Sequence, residues 1–120
     1  MIVDVEAHIR RLIEQTLEEL EDVGVQLLTA SNGEEALATI KAEKPQLVFL
    51  DVMMPKMNGF DVCHAVKNEL KMDDVYIVML TAKGQEYDKQ KGADVGADIY
   101  LTKPFDPDEI RDKVEEVLGL

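Results

Sequence analysis

Five short apolar segments, each followed by a stretch of helical periodicity, set the rhythm of this chain. The first is Met1-Ile2-Val3, ending at Asp4. From His8 onward Ile9, Leu12, Ile13, Leu17 and Leu20 share one face, while Arg10, Arg11, Glu14, Glu18 and Glu19 fall elsewhere, which predicts an amphipathic helix. Gly24 ends it, and residues 25–30 form the second strand candidate. Ser31-Asn32-Gly33-Glu34 has capping-box spacing, and Ala36, Leu37 and Ile40 supply the buried face of a second helix that Pro45 closes. The third strand, Leu47 to Leu50, is apolar without a break and stops at Asp51. Phe60, Val62, Cys63 and Val66 then mark a third helix, with His64 turned to solvent, as His8 is at the start of the first. Val75 to Leu80 is a second unbroken apolar run, and it stops at Thr81. A more polar helix over 86–93 follows, then a fifth strand over 97–101 ending in Thr102-Lys103-Pro104-Phe105. The final helix opens with Asp106 as N-cap, Pro107 at its first position and Glu109 at the capping-box position. Its apolar stripe is Ile110, Val114, Val117 and Leu118.

Strand then helix, five times over, with no linker, repeat or low-complexity segment, predicts one α/β domain over 1–120. Its parallel sheet is covered by helices on both faces. Continuous apolar strands such as Leu47 to Leu50 belong at the centre of such a sheet, because both their faces are buried. All carboxyl ends of a parallel sheet lie along one rim, where open α/β folds place their ligands. Asp4, Asp51, Thr81 and Lys103 each follow an apolar strand, so four strands deliver them to that rim. Two acids suit a hard cation such as Mg²⁺, which would also offset their mutual repulsion. A carboxylate can act as a nucleophile toward a phosphoryl donor, and a hydroxyl and an ammonium can contact the transferred oxygens.

Charge narrows the partners. Thirteen basic residues against 25 acidic ones give a net charge of -12, so the surface repels nucleic acid and anionic membranes, and direct binding to either is not expected. No apolar run approaches the ~20 residues of a bilayer span, and nothing reads as a signal peptide. The single cysteine, Cys63, falls on a helix face and reads as a core filler. A cytoplasmic protein is the expectation.

On these residues the chain resembles the receiver domain of two-component response regulators, of the chemotaxis-regulator-like kind. The fragments that carry the likeness are Val3-Asp4, Leu50-Asp51-Val52-Met53-Met54-Pro55 with Asn58-Gly59, Leu80-Thr81-Ala82, and Tyr100-Leu101-Thr102-Lys103-Pro104-Phe105. The resemblance implies a doubly wound (βα)5 flavodoxin-like fold with strand order 2-1-3-4-5. It implies Asp51 as phosphoacceptor, and Mg²⁺ held by Asp4, Asp51 and the backbone carbonyl of Met53. Thr81 is implied as switch hydroxyl, Lys103 as the phosphate-pairing amine preceding a cis bond to Pro104, and Tyr100 as an aromatic that turns with the switch. It further implies a sensor histidine kinase or phosphotransfer protein as donor. The downstream protein target would dock on the face of the fourth helix, fifth strand and fifth helix. A monomer or weak dimer is expected, with no enzymatic activity beyond self-phosphorylation and self-dephosphorylation at Asp51.

The sequence departs from the family pattern at Val5. Receivers carry two consecutive acids there, and the second is the one expected to touch Mg²⁺ directly. Valine offers no oxygen, so metal affinity should fall. The alternative function is therefore a degenerate receiver that binds proteins without phosphorylation. Lys56 stands where glycine is frequent. Met53 and Lys83, two residues beyond Asp51 and Thr81, offer no acid or amide to position an attacking water, so a phosphorylated form should persist. The short first strand suggests a loosely held amino terminus. Two other classes fit less well: an aspartate-based phosphohydrolase needs an acid where Met53 stands, and a flavodoxin needs a hydroxyl- and glycine-rich loop where Glu6-Ala7-His8 stands.

Overall fold

The computed structural model describes residues 1–4, 6–18, 20, 27–52, 54, 57–82, 96–103 and 106–119; the side chains of Ala82 and Lys103 lie outside that description. Five strands, β1 (Ile2–Val3), β2 (Thr29–Ala30), β3 (Leu47–Asp51), β4 (Tyr76–Ala82) and β5 (Ile99–Lys103), form one sheet in the order β2-β1-β3-β4-β5. Every neighbouring pair is parallel. This is the flavodoxin-like order, and it makes β3 the central strand. All five residues of β3 are buried, as its unbroken apolar run requires. The predicted helix over 86–93 falls outside the described residues.

Side-chain alternation divides the core into two layers. Val3, Val48, Leu50, Ile77 and Met79 point to the side covered by α2 (Gly33–Glu43) and α3 (Gly59–His64). Ile2, Phe49, Val78 and Leu80 point to the side covered by α1 (Ala7–Leu17) and the C-terminal helix (Pro107–Leu118). Ile13 and Leu17 anchor α1, and Ile110 and Val114 anchor the C-terminal helix, as the apolar stripes predict. Leu12 is an exception: it is 37% exposed, because a stripe one residue wider than the contact leaves its edge in water.

Helix starts follow their capping residues. Asn58 and Asp106 accept backbone N–H groups of Asp61 and Asp108 at 3.0 and 2.9 Å, satisfying donors that have no partner within the helix. For α2 the cap is Asn32 rather than Ser31. The Asn32 carboxamide oxygen accepts from Glu35 N–H at 2.9 Å, and Ser31 Oγ instead donates to the Glu35 carboxylate at 3.2 Å. Both residues can cap, and the choice is made by where β2 ends. After His64, α3 continues over Ala65–Glu69 in wider π winding, closed by Leu70 N–H to Ala65 C=O at 2.8 Å.

The amino terminus is held, contrary to expectation. Met1 is buried, its nitrogen donates to Leu47 C=O at 2.8 Å, and its carbonyl accepts from Phe49 N–H at 2.9 Å. Ile2 N–H reaches Leu28 C=O at 2.8 Å on the other side. A two-residue strand is secured here because it lies between two neighbours instead of at an edge.

Candidate functional site

Register brings most of the predicted residues to one rim. Val3 lies beside Leu50, so Asp4 follows on one strand as Asp51 follows on the next. Asp51 lies beside Leu80, which places Thr81 one step further along β4. Thr81 is paired with Thr102, and Ala82 with Lys103, at the carboxyl end of β5. Lys103 backbone therefore stands at the rim, while its side chain falls outside the described residues, as do Val5, Met53, Lys56, Lys83 and Pro104.

Among the described residues the buried polar side chains are Asp4, Asp51 and Thr81, 0%, 3% and 2% exposed respectively. Burial of a carboxylate is unfavourable unless hydrogen bonds or a cation offset the lost water. Asp4 Oδ1 accepts Glu6 N–H at 2.9 Å, and Asp4 N–H donates to Ala30 C=O at 3.3 Å. Arg10, which the helical pattern places on a polar face, turns back from α1 to donate from Nη1 to the Asp4 carbonyl at 2.5 Å. Sequence reading missed this bond. Its signal is a guanidinium one turn into the helix that follows a rim acid.

The wall behind Asp51 is backbone. Val52 N–H donates to Leu80 C=O at 3.2 Å and Gly59 N–H donates to Val52 C=O at 3.0 Å. Gly59 opens α3 against the Asp51 carbonyl so closely that any Cβ there would collide with it. Glycine is required by this approach, whatever its backbone angles.

Tyr100 is half-buried, packs against the α2–α3 side of the sheet, and lies in register beside Met79. Alternation puts Thr81 on the same side as Met79, so the hydroxyl and the aromatic ring share a face. At the opposite end of β5, Asp98 accepts Ile77 N–H at 2.7 Å and pairs with Lys67 Nζ at 3.1 Å. Lys67 comes from the π-wound turn, and only 10% of its side chain is exposed. Cys63, one turn earlier, is buried as expected, and burial first, then Asp98, pushes its thiol up to about 11 against a partial lowering by Lys67.

The two rim carboxylates fit a hard cation. Among the described residues no group of three or more acid, histidine or cysteine side chains could hold a metal. A pair of buried carboxylates is the sparse all-oxygen donor set that suits Mg²⁺, an ion that keeps several of its waters.

A wound parallel sheet with acids, a hydroxyl and a lysine at its carboxyl rim defines a receiver-type signalling module. The comparisons agree. The family profile that matches residues 1–115 is the response regulator receiver domain. The chain is 47% identical over 118 residues to the probable transcriptional regulator ycf27 of Pyropia yezoensis, covering 98% of this chain and 46% of that protein. It is 44% identical over 118 residues to the alkaline phosphatase synthesis transcriptional regulatory protein PhoP of Bacillus subtilis, covering 98% and 47%. The chain thus spans about half the length of these relatives. Among solved structures, chemotaxis protein CheY4 of Vibrio cholerae superposes with a TM-score of 0.82 at 34% identity, covering 97% of this chain and 94% of that one. The receiver domain of NtrX from Brucella abortus gives 0.83 at 28% identity, covering 98% and 96%. The chain belongs to the response regulator receiver domain family of two-component systems.

Proposed function

We propose that this domain accepts a phosphoryl group on Asp51 and converts it into a change of protein-binding surface. The observation that supports this most is the burial of Asp4, Asp51 and Thr81 together at adjoining strand ends. An Asp51 carboxylate oxygen attacks phosphorus. The bond from phosphorus to the donor's leaving atom breaks and its electron pair stays on that atom: an acyl phosphate releases its carboxylate as the anion, and a phosphohistidine protonated on its other ring nitrogen releases neutral imidazole. Mg²⁺, when bound, supplies charge that offsets the developing negative oxygens, with Asp4, Asp51 and the Met53 carbonyl as its protein ligands. Thr81 Oγ and the Lys103 ammonium donate to the transferred oxygens. Donors of matching chemistry are a phosphohistidine on a sensor kinase or phosphotransfer protein, or a small acyl phosphate.

The signal leaves through Thr81 and Tyr100. Drawing Thr81 toward the phosphoryl oxygens vacates space on the face it shares with Tyr100, and the ring turns inward. The surface made by the helix predicted over 86–93, β5 and the C-terminal helix is then remodelled for a downstream protein. Only unequal contact of the phosphoryl group with the two arrangements shifts their populations. The setting is the cytoplasm, where such donors are found. A second reading, a phosphorylation-independent binding module, is favoured by Val5, which removes one acid from the metal set.

The test is incubation with acetyl phosphate and Mg²⁺, followed by intact mass. The expected result is one phosphoryl adduct, absent in Asp51→Asn and formed faster in Val5→Asp. No adduct in either the native chain or Val5→Asp refutes phosphoryl transfer to Asp51. An adduct in Val5→Asp alone favours the second reading.

A further inference from the structure

Arg10 is the cationic side chain seen bonded to the acid end of β1, and it goes beyond the phosphoryl chemistry outlined above. Its Nη1 lies 2.5 Å from the Asp4 carbonyl oxygen. Covalent geometry keeps an aspartate carboxylate within about 5 Å of its own carbonyl, so Arg10 Nη1 lies within roughly 8 Å of the Asp4 carboxylate. That carboxylate has no exposed surface, and Asp51 beside it has almost none. Arg10 is half-buried, so the pairing with the buried carboxylate is partly screened by solvent, and an arginine keeps its charge at every pH of interest. The staple also spans residues 5 and 6, the place where the second acid of the usual pair is replaced by Val5.

We propose that Arg10 is a positioning residue and resident cation of the rim: it ties α1 to the end of β1 and offsets the buried charge of Asp4 in the metal-free protein. Arg10 then brings a fixed positive charge to the Asp4 side of the rim before any ion arrives. Ion and guanidinium are coupled through the same carboxylates, so removal of one strengthens the need for the other. The coupling to Mg²⁺ rests on the metal-dependent reading given above; the charge pairing with Asp4 does not.

The experiment is a double-mutant cycle by thermal unfolding of the whole chain in EDTA, followed by Mg²⁺ titration calorimetry. Arg10→Gln keeps an N–H donor but no charge, Arg10→Lys keeps the charge, and Asp4→Asn removes the acid while retaining the oxygen that accepts from Glu6. Arg11→Gln, an exposed neighbour, is the control. Arg10→Gln is expected to lower the midpoint by about 5 °C, Arg10→Lys by less than half as much, and Arg11→Gln by about 1 °C or less. On the Asp4→Asn background the cost of Arg10→Gln should fall by at least half. In the titration Arg10→Gln should bind Mg²⁺ about tenfold more tightly than the native chain. Additive costs in the cycle, or rescue by glutamine but not by lysine, would overturn the proposal. A native chain that takes up no Mg²⁺ would sink the metal-dependent function while leaving the cycle to decide Arg10.

Discussion

Replacing Gly59 by alanine probes how the central strand end is built. An alanine Cβ at this position lies 2.9 Å from Val52 Cα and 3.0 Å from the Asp51 carbonyl carbon, and it overlaps the Asp51 carbonyl oxygen. All three atoms are backbone. They are tied into the sheet by the Val52 N–H bond to Leu80, so the strand cannot yield without breaking its ladder. Helix α3 must retreat instead, which stretches the 3.0 Å bond from Gly59 N–H to Val52 C=O and loosens the packing of Phe60 and Val62. Over-packing of this kind costs about 1–3 kcal/mol and the stretched bond about 0.5–1.5 kcal/mol. Alanine's better helix propensity returns at most about 1 kcal/mol. The net loss is then about 2–3 kcal/mol, a large share of a domain's stability. In urea denaturation at 25 °C the midpoint should fall by about 1–2 M with an unchanged slope. Gly119→Ala is the companion variant. It has a left-handed φ of 72° but nothing within 4 Å of the new methyl, so it should cost only about 1 kcal/mol. If Gly59→Ala proves no more costly than Gly119→Ala, the tight seating of α3 on the Asp51 carbonyl is wrong.

Other outcomes follow from the same packing. Asp98→Ala should cost about 2–4 kcal/mol in chemical denaturation, because it strips the partner from Ile77 N–H and from a largely buried Lys67; a loss below about 0.5 kcal/mol would show the pair to be idle. Gly33→Ala should also destabilise, since its methyl would overlap the Met57 carbonyl oxygen and lie 2.7 Å from Met57 Cβ; an unchanged urea midpoint would mean that this loop simply moves aside. The Cys63 thiol should resist alkylation at pH 8 until the chain unfolds. Its folded value, about 11, lies above the ordinary 9.0, so the unfolded chain binds fewer protons between those values and stability falls as pH rises from 9 toward 11. The loss is at most about 3 kcal/mol, and Cys63→Ala should remove that slope; a slope that survives the substitution belongs to another group. Thr81→Ala should leave acetyl phosphate labelling of Asp51 measurable but weaken phosphorylation-dependent partner binding; equal partner affinity would uncouple Thr81 from the output.

The chain's sequence was sufficient for the order of the described elements, because burial on two faces leaves a different hydrophobic pattern from burial on one. Leu47 to Leu50 reads as a central strand for that reason, and Asp51 and Thr81 are legible as its rim because an apolar run breaks off at each. The resemblance to receivers then supplied strand order, which no local pattern contains. Four things were decided only by the folded chain. Asn32 takes the cap that Ser31 could equally have taken, since the end of β2 sets which residue meets the first turn of α2. Met1 is locked into the core because β1 is sandwiched between β2 and β3, a neighbour relation between residues tens of positions apart. Arg10 reads as a polar-face charge of a helix in one dimension, and no local pattern joins Lys67 to Asp98. They become part of the rim and of the β5 edge through contacts between separate elements, whose energies depend on distance in space and leave no periodic trace along the chain.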